Sequence, residues 1–254
     1  MGDRPRVLRD AAFVDGRVLW EQPLPGLAPS DRGAIYDEMN RVIAALHSVS
    51  PGHIGLADYG KPGNYFVRQI ARWTKQYQLS ALQPIAEMDR LIDWLPAHLP
   101  PSALDESQVS IVHGDFRLDN LIFEANSRAS RPCSTGSCRR SGIRWPISAT
   151  TAWRGTSSPA YSAASAGSIL TALGIPNERD YVRRYCERTG RADPDAVKAH
   201  WNFYLAYNLF RLAAITQGIA KRAADGTAAS AQAQSSGQAT SALARMGWAQ
   251  AQRG

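Results

Sequence analysis

The chain of 254 residues has a hydrophobic fraction of 44%, which is sufficient for a buried core in one large or two small domains. No apolar run approaches the roughly 18 residues that cross a bilayer, and the N-terminal residues lack the apolar stretch of a secretory signal. The sequence therefore predicts a globular protein of the cytoplasm and disfavours membrane-spanning and secreted classes.

The net charge of +7 is concentrated in one part of the chain. No acidic residue lies between Ala125 and Asn177, whereas this stretch contains the arginines Arg128, Arg131, Arg139, Arg140, Arg144 and Arg154. A nucleic-acid-binding face would instead combine lysines with aromatic side chains on regular elements. Nucleic-acid binding is therefore disfavoured, although interaction through the arginine-rich stretch stays an alternative that steep salt dependence would reveal.

The cysteines give no sign of a metal or redox site. Cys133, Cys138 and Cys186 make an odd count, and the gap between the first two fits neither a zinc knuckle nor a CxxC pair. We expect reduced thiols that form no site.

The first part of the chain predicts three amphipathic helices. The first starts with Ser30 as N-cap and ends near His47, a second follows, and a third is opened by Pro84 and ended by Pro96. Apolar residues recur at helical spacing on all three. These faces comprise Ile35, Met39, Val42, Ile43, Leu46, Ile70, Trp73, Tyr77, Met88, Leu91, Ile92 and Leu95.

The middle of the chain predicts two short strands and an irregular segment. β-prone runs at 110–112 and 121–123 flank a polar loop and frame it like a hairpin. The following residues, 126–168, are rich in Ser, Arg, Ala and Thr and show neither helical nor strand periodicity. A patternless stretch of this length is unusual inside a compact domain.

The C-terminal part is predicted to be helical. Helices are expected over 178–189 and 195–222, and the second should be a long core helix with apolar and aromatic residues at helical spacing. The residues 225–254 begin with a run rich in Ala, Ser and Gln, which favours either a weak helix or disorder.

The polar loop between the two strands, 113–120, contains the sequence His-Gly-Asp-x-x-x-x-Asn. Phosphoryl transfer needs a carboxylate that holds the attacking hydroxyl and ligands for the metal ions that neutralise phosphate charge. Asp115 would accept or orient the hydroxyl proton, and Asn120 would ligate Mg²⁺ through its side-chain carbonyl. His113 is expected to brace the loop, and Asp119 to add a hydrogen bond or local charge. The spacing is that of the protein-kinase catalytic loop.

The alternative is that Asp115 and Asn120 are turn formers in an ordinary hairpin, because Asp, Asn and Gly favour turns for local hydrogen-bonding reasons. The flanking strands and the helices on either side favour the catalytic interpretation. His47 lies at the end of an apolar face and is interpreted as a helix-terminal or core contact. Four cations are candidates for contact with an anionic acceptor, although surface charge on a helix is the commoner explanation: Arg68, Arg72, Lys75 and Arg90.

A family resemblance is carried by the stretches 13–18, 44–47, 55–60, 64–69, 94–96, 112–123, 173–176, 181–188 and 203–218. Together they resemble the aminoglycoside phosphotransferase and choline kinase superfamily, and within it the bacterial branch related to acyl-CoA dehydrogenase-associated phosphotransferases. The resemblance implies an α+β, mainly α fold like the C-terminal lobe of a protein kinase, with a small β-hairpin carrying the catalytic loop. It also implies ATP and Mg²⁺ as cofactors and a small-molecule hydroxyl acceptor, for which a hydroxylated acyl chain is one candidate. Helices after the loop shape the acceptor pocket in this family, which makes Tyr204 and Asn208 candidates.

The first departure from the family lies at the N-terminus. The family hinge begins here at Phe13, and neither a Gly-rich loop nor a lysine precedes it, so we expect the ATP-binding lobe to be missing from this chain. The resemblance then divides the chain into a remnant (1–12), a first part of the lobe (13–125), the irregular segment (126–168), further lobe helices (169–224) and a tail (225–254).

The second departure is the irregular segment, which falls where the family places a Leu-Asp-Trp-Glu run whose Asp is the main metal ligand. Such an Asp is absent. When the codons of residues 133–137 are read in a shifted frame, the resulting triplets are compatible with Leu-Asp-Trp-Glu-Leu. This favours a change of reading frame in the gene; a genuine Ser/Arg-rich insertion is the alternative. The predicted function is transfer of the ATP γ-phosphate to a small-molecule hydroxyl, impaired in this chain. The other hypothesis is a non-catalytic remnant or pseudokinase that acts by binding.

Overall fold

The computed structural model describes residues 16–57, 63–105, 109–123, 133–134, 140–143, 170–190, 194–227 and 231–253. The strands are β1 (Arg17–Val18), β2 (Val109–Val112), β3 (Leu121–Phe123), β4 (Cys133–Ser134) and β5 (Arg140–Ile143). The helices are α1 (Pro29–Ser48), α2 (Tyr65–Ser80), α3 (Ala86–Ala97), α4 (Pro101–Leu104), α5 (Glu178–Thr189), α6 (Pro194–Ala199), α7 (Trp201–Ala224) and α8 (Ala231–Ala251). The mainly helical α+β architecture is therefore confirmed.

The three N-terminal helices lie where the apolar spacing predicted them, with shifted ends. Pro29 occupies the first turn of α1 and Ala28, not Ser30, is the cap residue. Proline is suited to this position because its missing N–H would have no partner there. α3 begins two residues after Pro84, and Pro96 lies inside its last turn instead of ending it.

The two strands beside the polar loop are confirmed, but they do not pair as one hairpin. β2 pairs antiparallel with β5, whereas β3 lies between β1 and β4. β4 and β5 come from the segment 126–168, so the expectation of an irregular segment is wrong for those residues. β5 and β4 form strands because they pair with the open edges of β2 and β3. Pairing with a strand elsewhere in the chain leaves no periodic signal in a short polar sequence. The rest of that segment lies outside the described residues.

α7 is the central helix of the core. Aromatic residues on it pack with Phe66 of α2, whose ring centroid is 5.1 Å from that of Tyr207 and 5.4 Å from that of Tyr204. The predicted single helix over 195–222 is interrupted at His200, whose φ of −114° and ψ of 11° separate α6 from α7. The prediction of a long core helix is otherwise confirmed.

Polar contacts fix α5 to α1. The Asn40 amide nitrogen donates to the Tyr181 carbonyl over 2.7 Å, and Arg184 and Arg188 both donate to the carboxylate of Asp37, over 2.8 and 2.7 Å. Since Asn40 is fully buried, its bond to a backbone carbonyl satisfies a donor that would otherwise destabilise the core. These contacts join parts of the chain on either side of the polar loop of residues 113–120.

Much of the Ala/Ser/Gln-rich tail, for which the sequence left a weak helix or disorder open, forms the helix α8. This helix packs against α7 and α3, and Thr240, Ala244 and Ala251 are buried. A side-chain Cβ at Gly247 would lie 3.0 Å from Leu91 Cδ1 and 3.2 Å from Leu209 Cβ. Small residues thus allow close helix packing, which composition alone does not distinguish from a solvated tail.

Gly247→Leu is expected to destabilise the protein by about 1 to 3 kcal/mol, because the added atoms overlap Leu91 and Leu209. Ala249→Leu, at an exposed position of the same helix, is the matched control and should have little effect. Urea denaturation of both variants measures the difference. Equal free energies of unfolding for the two would show that α8 is not packed on the core in this way.

Candidate active site

The polar loop of residues 113–120 begins directly after β2 and ends in a 3₁₀ turn, Leu118–Asn120, that leads into β3. Gly114 has a φ of +82°, a backbone conformation that glycine adopts without strain. Phe116 and Leu118 are buried, so apolar side chains anchor the loop from below while Asp115 is exposed.

His113 lies under the loop with 3% of its surface exposed. Its Nδ1 accepts a hydrogen bond from the Asp115 backbone N–H over 3.3 Å, and its ring meets that of Phe116 edge-on at 5.6 Å. Burial lowers the pKa of His113, against the opposing effect of the Asp115 charge. The imidazole is therefore held neutral, with a ring nitrogen that can accept the backbone proton. This geometry supports the bracing role predicted for His113.

The buried imidazole should make stability depend on pH. An unfolded histidine has a pKa of about 6.5, and the folded pKa of His113 is lower, so between the two values the unfolded state binds more protons. The free energy of unfolding is expected to fall as pH drops below about 6.5. Urea denaturation at neutral and at mildly acidic pH measures this change. The free energy of unfolding should differ less between the two pH values for His113→Asn than for the wild type. The exposed His53 supplies the control His53→Asn; an equal change in both variants would contradict the assignment.

Asp115 and Asn120 are brought together, as their spacing predicted. The Asn120 amide nitrogen donates to both the backbone carbonyl and the Oδ2 atom of Asp115, each over 2.8 Å. The two hydrogen bonds thus join residues five positions apart, and they fix the Asp115 carboxylate relative to the Asp115 backbone. The side chain of Asp115 stays 58% exposed, so it is accessible to a bound molecule.

Arg117 connects the two carboxylates of the loop. Its Nε lies 3.5 Å from Asp115 Oδ2 and 3.2 Å from Asp119 Oδ1. Asp119 is the less exposed of the two, at 19%. The negative charge predicted for Asp119 is therefore paired with Arg117, and Asp115 is the more exposed carboxylate of the two.

Arg211 of α7 also supports the loop, through a contact that the sequence did not predict. Its guanidinium donates to the Gly114 carbonyl over 2.7 Å and lies 5.7 Å from the ring centroid of Trp73 on α2. A contact between residues 97 positions apart has no local signal in a single sequence. The loop is therefore held by α7 as well as by its own hydrogen bonds.

The described residues do not by themselves form a magnesium cage. Within the described part of the chain, no group of three or more His, Cys, Asp or Glu side chains converges to hold a metal ion. Asn120 directs its amide nitrogen to Asp115, and Asp119 is paired with Arg117. Backbone pairing places Ser134 of β4 opposite Leu121, the residue after Asn120.

The other candidates have structural contacts. His47 is fully buried and its Nδ1 lies 2.7 Å from the Tyr185 hydroxyl, which confirms the predicted core contact. Tyr204 and Asn208 are buried too: the Tyr204 hydroxyl lies 2.7 Å from Ser102 Oγ, and Asn208 donates to the Tyr204 carbonyl. Of the cysteines, Cys186 is a buried free thiol.

The helical lobe and its His-Gly-Asp loop between two short strands define the class as a kinase-like phosphotransferase fold. Residues 2–130 match the family described as "Phosphotransferase enzyme family", and the chain belongs to this family. The predicted resemblance and fold class are confirmed. Members of this family generally use ATP and Mg²⁺.

Solved and curated relatives agree with this assignment. A crystal structure from Ralstonia eutropha JMP134, named as a candidate aminoglycoside phosphotransferase, has a TM-score of 0.83 and 48% identity, over 95% of this chain and 71% of that one. Acyl-CoA dehydrogenase family member 10 of Mus musculus is 41% identical over 93% of this chain and 22% of its own length. Acyl-CoA dehydrogenase family member 11 of Rattus norvegicus is 34% identical over 82% of this chain and 26% of its own length. The chain thus spans about a quarter of these curated relatives.

Among the residues that the structure describes, no helix combines the length and apolar character needed to cross a bilayer.

Proposed function

We propose that this chain acts on a small-molecule hydroxyl as a kinase-like phosphotransferase, with Asp115 as the base that orients the attacking oxygen. The observation that carries the proposal is the combination of exposure and fixation at Asp115. Its side chain is 58% exposed, yet one bond from Asn120 reaches the carboxylate, and a second bond from Asn120 and the contact to His113 hold the backbone of Asp115. The two strands beside the loop pair with other strands and not with each other, so the loop is not the turn of an ordinary hairpin.

In the proposed reaction the acceptor oxygen forms a bond to the γ-phosphorus of ATP while the bond to the β-phosphate bridging oxygen breaks, and ADP leaves. The acceptor proton passes to Asp115, which needs only to be within hydrogen-bond reach of the hydroxyl. His113 and Asn120 keep the carboxylate aimed outward. A cytoplasmic location, where ATP is available, is part of the proposal.

We propose further that turnover by this chain is low. Asn120 is proposed as a metal ligand through its side-chain oxygen, but a hard cation such as Mg²⁺ prefers carboxylate ligands, and the described residues add no converging acids. Sequencing the gene across the codons for 126–168 would separate a frame change from a genuine insertion.

The acceptor is proposed to be a hydroxylated acyl compound, because relatives that share this region are named as acyl-CoA dehydrogenase family members. The test is transfer of radiolabelled phosphate from Mg·ATP to a panel that includes 6-hydroxyhexanoate and kanamycin. We expect slow labelling of the hydroxy acid, well below the roughly 1 to 100 turnovers per second of typical kinases. Labelling of kanamycin alone would overturn the acceptor, and a typical kinase rate would overturn the proposed impairment.

A second candidate function is binding without turnover, favoured by the lack of an acid cluster among the described residues. Calorimetry with Mg·ATP separates the two. Binding of the acceptor without detectable nucleotide binding or transfer would favour the non-catalytic function.

A further inference from the structure

Two arginines share one indole next to the catalytic loop. The guanidinium carbon of Arg72 lies 5.4 Å from the centroid of the Trp73 ring, and that of Arg211 lies 5.7 Å from the same centroid. Arg211 also donates to the carbonyl of Gly114, the residue before Asp115. One ring thus holds two positive charges, and one of them touches the backbone beside the proposed base.

These charges are not neutralised by neighbouring acids in the described part of the chain. No ion pair to Arg72 or Arg211 forms there, and the two loop carboxylates, Asp115 and Asp119, share Arg117 instead. β5, which begins at Arg140, contacts α2, and the sequence between Ala125 and Asn177 contains no acid. Two like charges held by the same ring repel each other, and an anion that binds near both would relieve that repulsion.

We propose that Arg72 and Arg211 form a binding site for the anionic group, a phosphate or carboxylate, of the hydroxyl acceptor. The inference rests on the proposed function and names the acceptor's charge. Arginine forks match carboxylate and phosphate oxygens with paired hydrogen bonds, and Trp73 holds the guanidinium groups by cation–π contact. With its anion held there, the acceptor can present a distant hydroxyl to Asp115. A polycation such as an aminoglycoside would be repelled.

The test compares three six-carbon hydroxy compounds, which carry a phosphate, a carboxylate or a second hydroxyl, with one polycation. Calorimetry of the full chain is run with 6-hydroxyhexyl phosphate, 6-hydroxyhexanoate, 1,6-hexanediol and kanamycin. Both anions should bind more tightly than the diol, kanamycin should not bind, and the advantage of the anions should shrink with added salt. Diol binding as tight as that of the anions would overturn the proposal.

Variants assign the binding to the two arginines. Arg72→Gln and Arg211→Gln should each weaken binding of 6-hydroxyhexyl phosphate about tenfold, the usual effect of losing a charge-assisted contact. Arg245→Gln, which makes the same change at an exposed position of α8, is the control. An unchanged affinity in Arg72→Gln, which leaves the Gly114 contact intact, or an equal loss in Arg245→Gln would overturn the assignment.

The source of the anion is resolved by competition with a non-hydrolysable ATP analogue. If the analogue displaces 6-hydroxyhexyl phosphate, the arginines hold nucleotide phosphate and the acceptor assignment is wrong. If arginine-dependent anion binding is found while no phosphate transfer occurs, the anion site stands and the proposed catalytic function fails.

Discussion

Asp115→Asn is expected to lower phosphate transfer by about 10²- to 10⁴-fold, the usual contribution of a positioned general base. Asparagine keeps the size of the side chain and an oxygen for the Asn120 amide, which donates to Asp115 Oδ2 over 2.8 Å. It removes the charge and the ability to take the acceptor proton. Single-turnover assays with enzyme in excess over radiolabelled Mg·ATP give the sensitivity that a slow catalyst requires.

Two further substitutions make the same chemical change elsewhere. Asp119→Asn alters the neighbouring carboxylate that pairs with Arg117, and Asp93→Asn alters an exposed carboxylate of α3. The first should reduce transfer less than Asp115→Asn, and the second should leave it unchanged. An Asp115→Asn variant as active as Asp93→Asn would mean that Asp115 is a turn former and not the base.

Phe66→Ala should produce the largest loss of stability, about 3 to 5 kcal/mol. The ring is fully buried and its centroid lies between 5.1 and 6.0 Å from those of Tyr207, Tyr65, Tyr204 and Phe203. Truncation removes these ring contacts and leaves a cavity between α2 and α7. Urea denaturation followed by tryptophan fluorescence measures the change.

The adjacent Val67→Ala is the control for this prediction, because Val67 is 42% exposed and belongs to the same helix. Val67→Ala should lower the free energy of unfolding much less than Phe66→Ala, since the valine side chain buries little apolar surface. Similar losses from the two substitutions would show that the aromatic cluster is not the centre of the core.

The sequence predicted those parts of the fold that produce a periodic pattern of apolar residues within one segment. Apolar residues at helical spacing located α1 and α2, and the His-Gly-Asp loop with its flanking β-prone runs located the candidate site. For α8 the sequence left a weak helix or disorder open and did not predict packing on the core, because Ala, Ser, Gly and Gln have weak hydrophobic contrast and a packed face looks like a solvated one. Its burial depends on the shape of α3 and α7, which its own residues do not reveal.

The same limit applies to contacts between distant parts of the chain. The pairing of β5 with β2 and the Arg211 contact to Gly114 depend on tertiary arrangement, and no spacing rule within one segment predicts either. The Asp115 and Asn120 pairing was predictable because both residues belong to one short loop. The residues of the candidate site could therefore be predicted from the sequence, whereas the distant contacts that hold the loop in place could not.

The Arg211 contact also bears on how the protein is made. Gly114 receives its hydrogen bond from a residue 97 positions later in the chain. At typical rates of synthesis, this interval corresponds to about 5 to 20 s. On the ribosome, the loop must therefore wait in an incompletely supported state until α7 has emerged and docked.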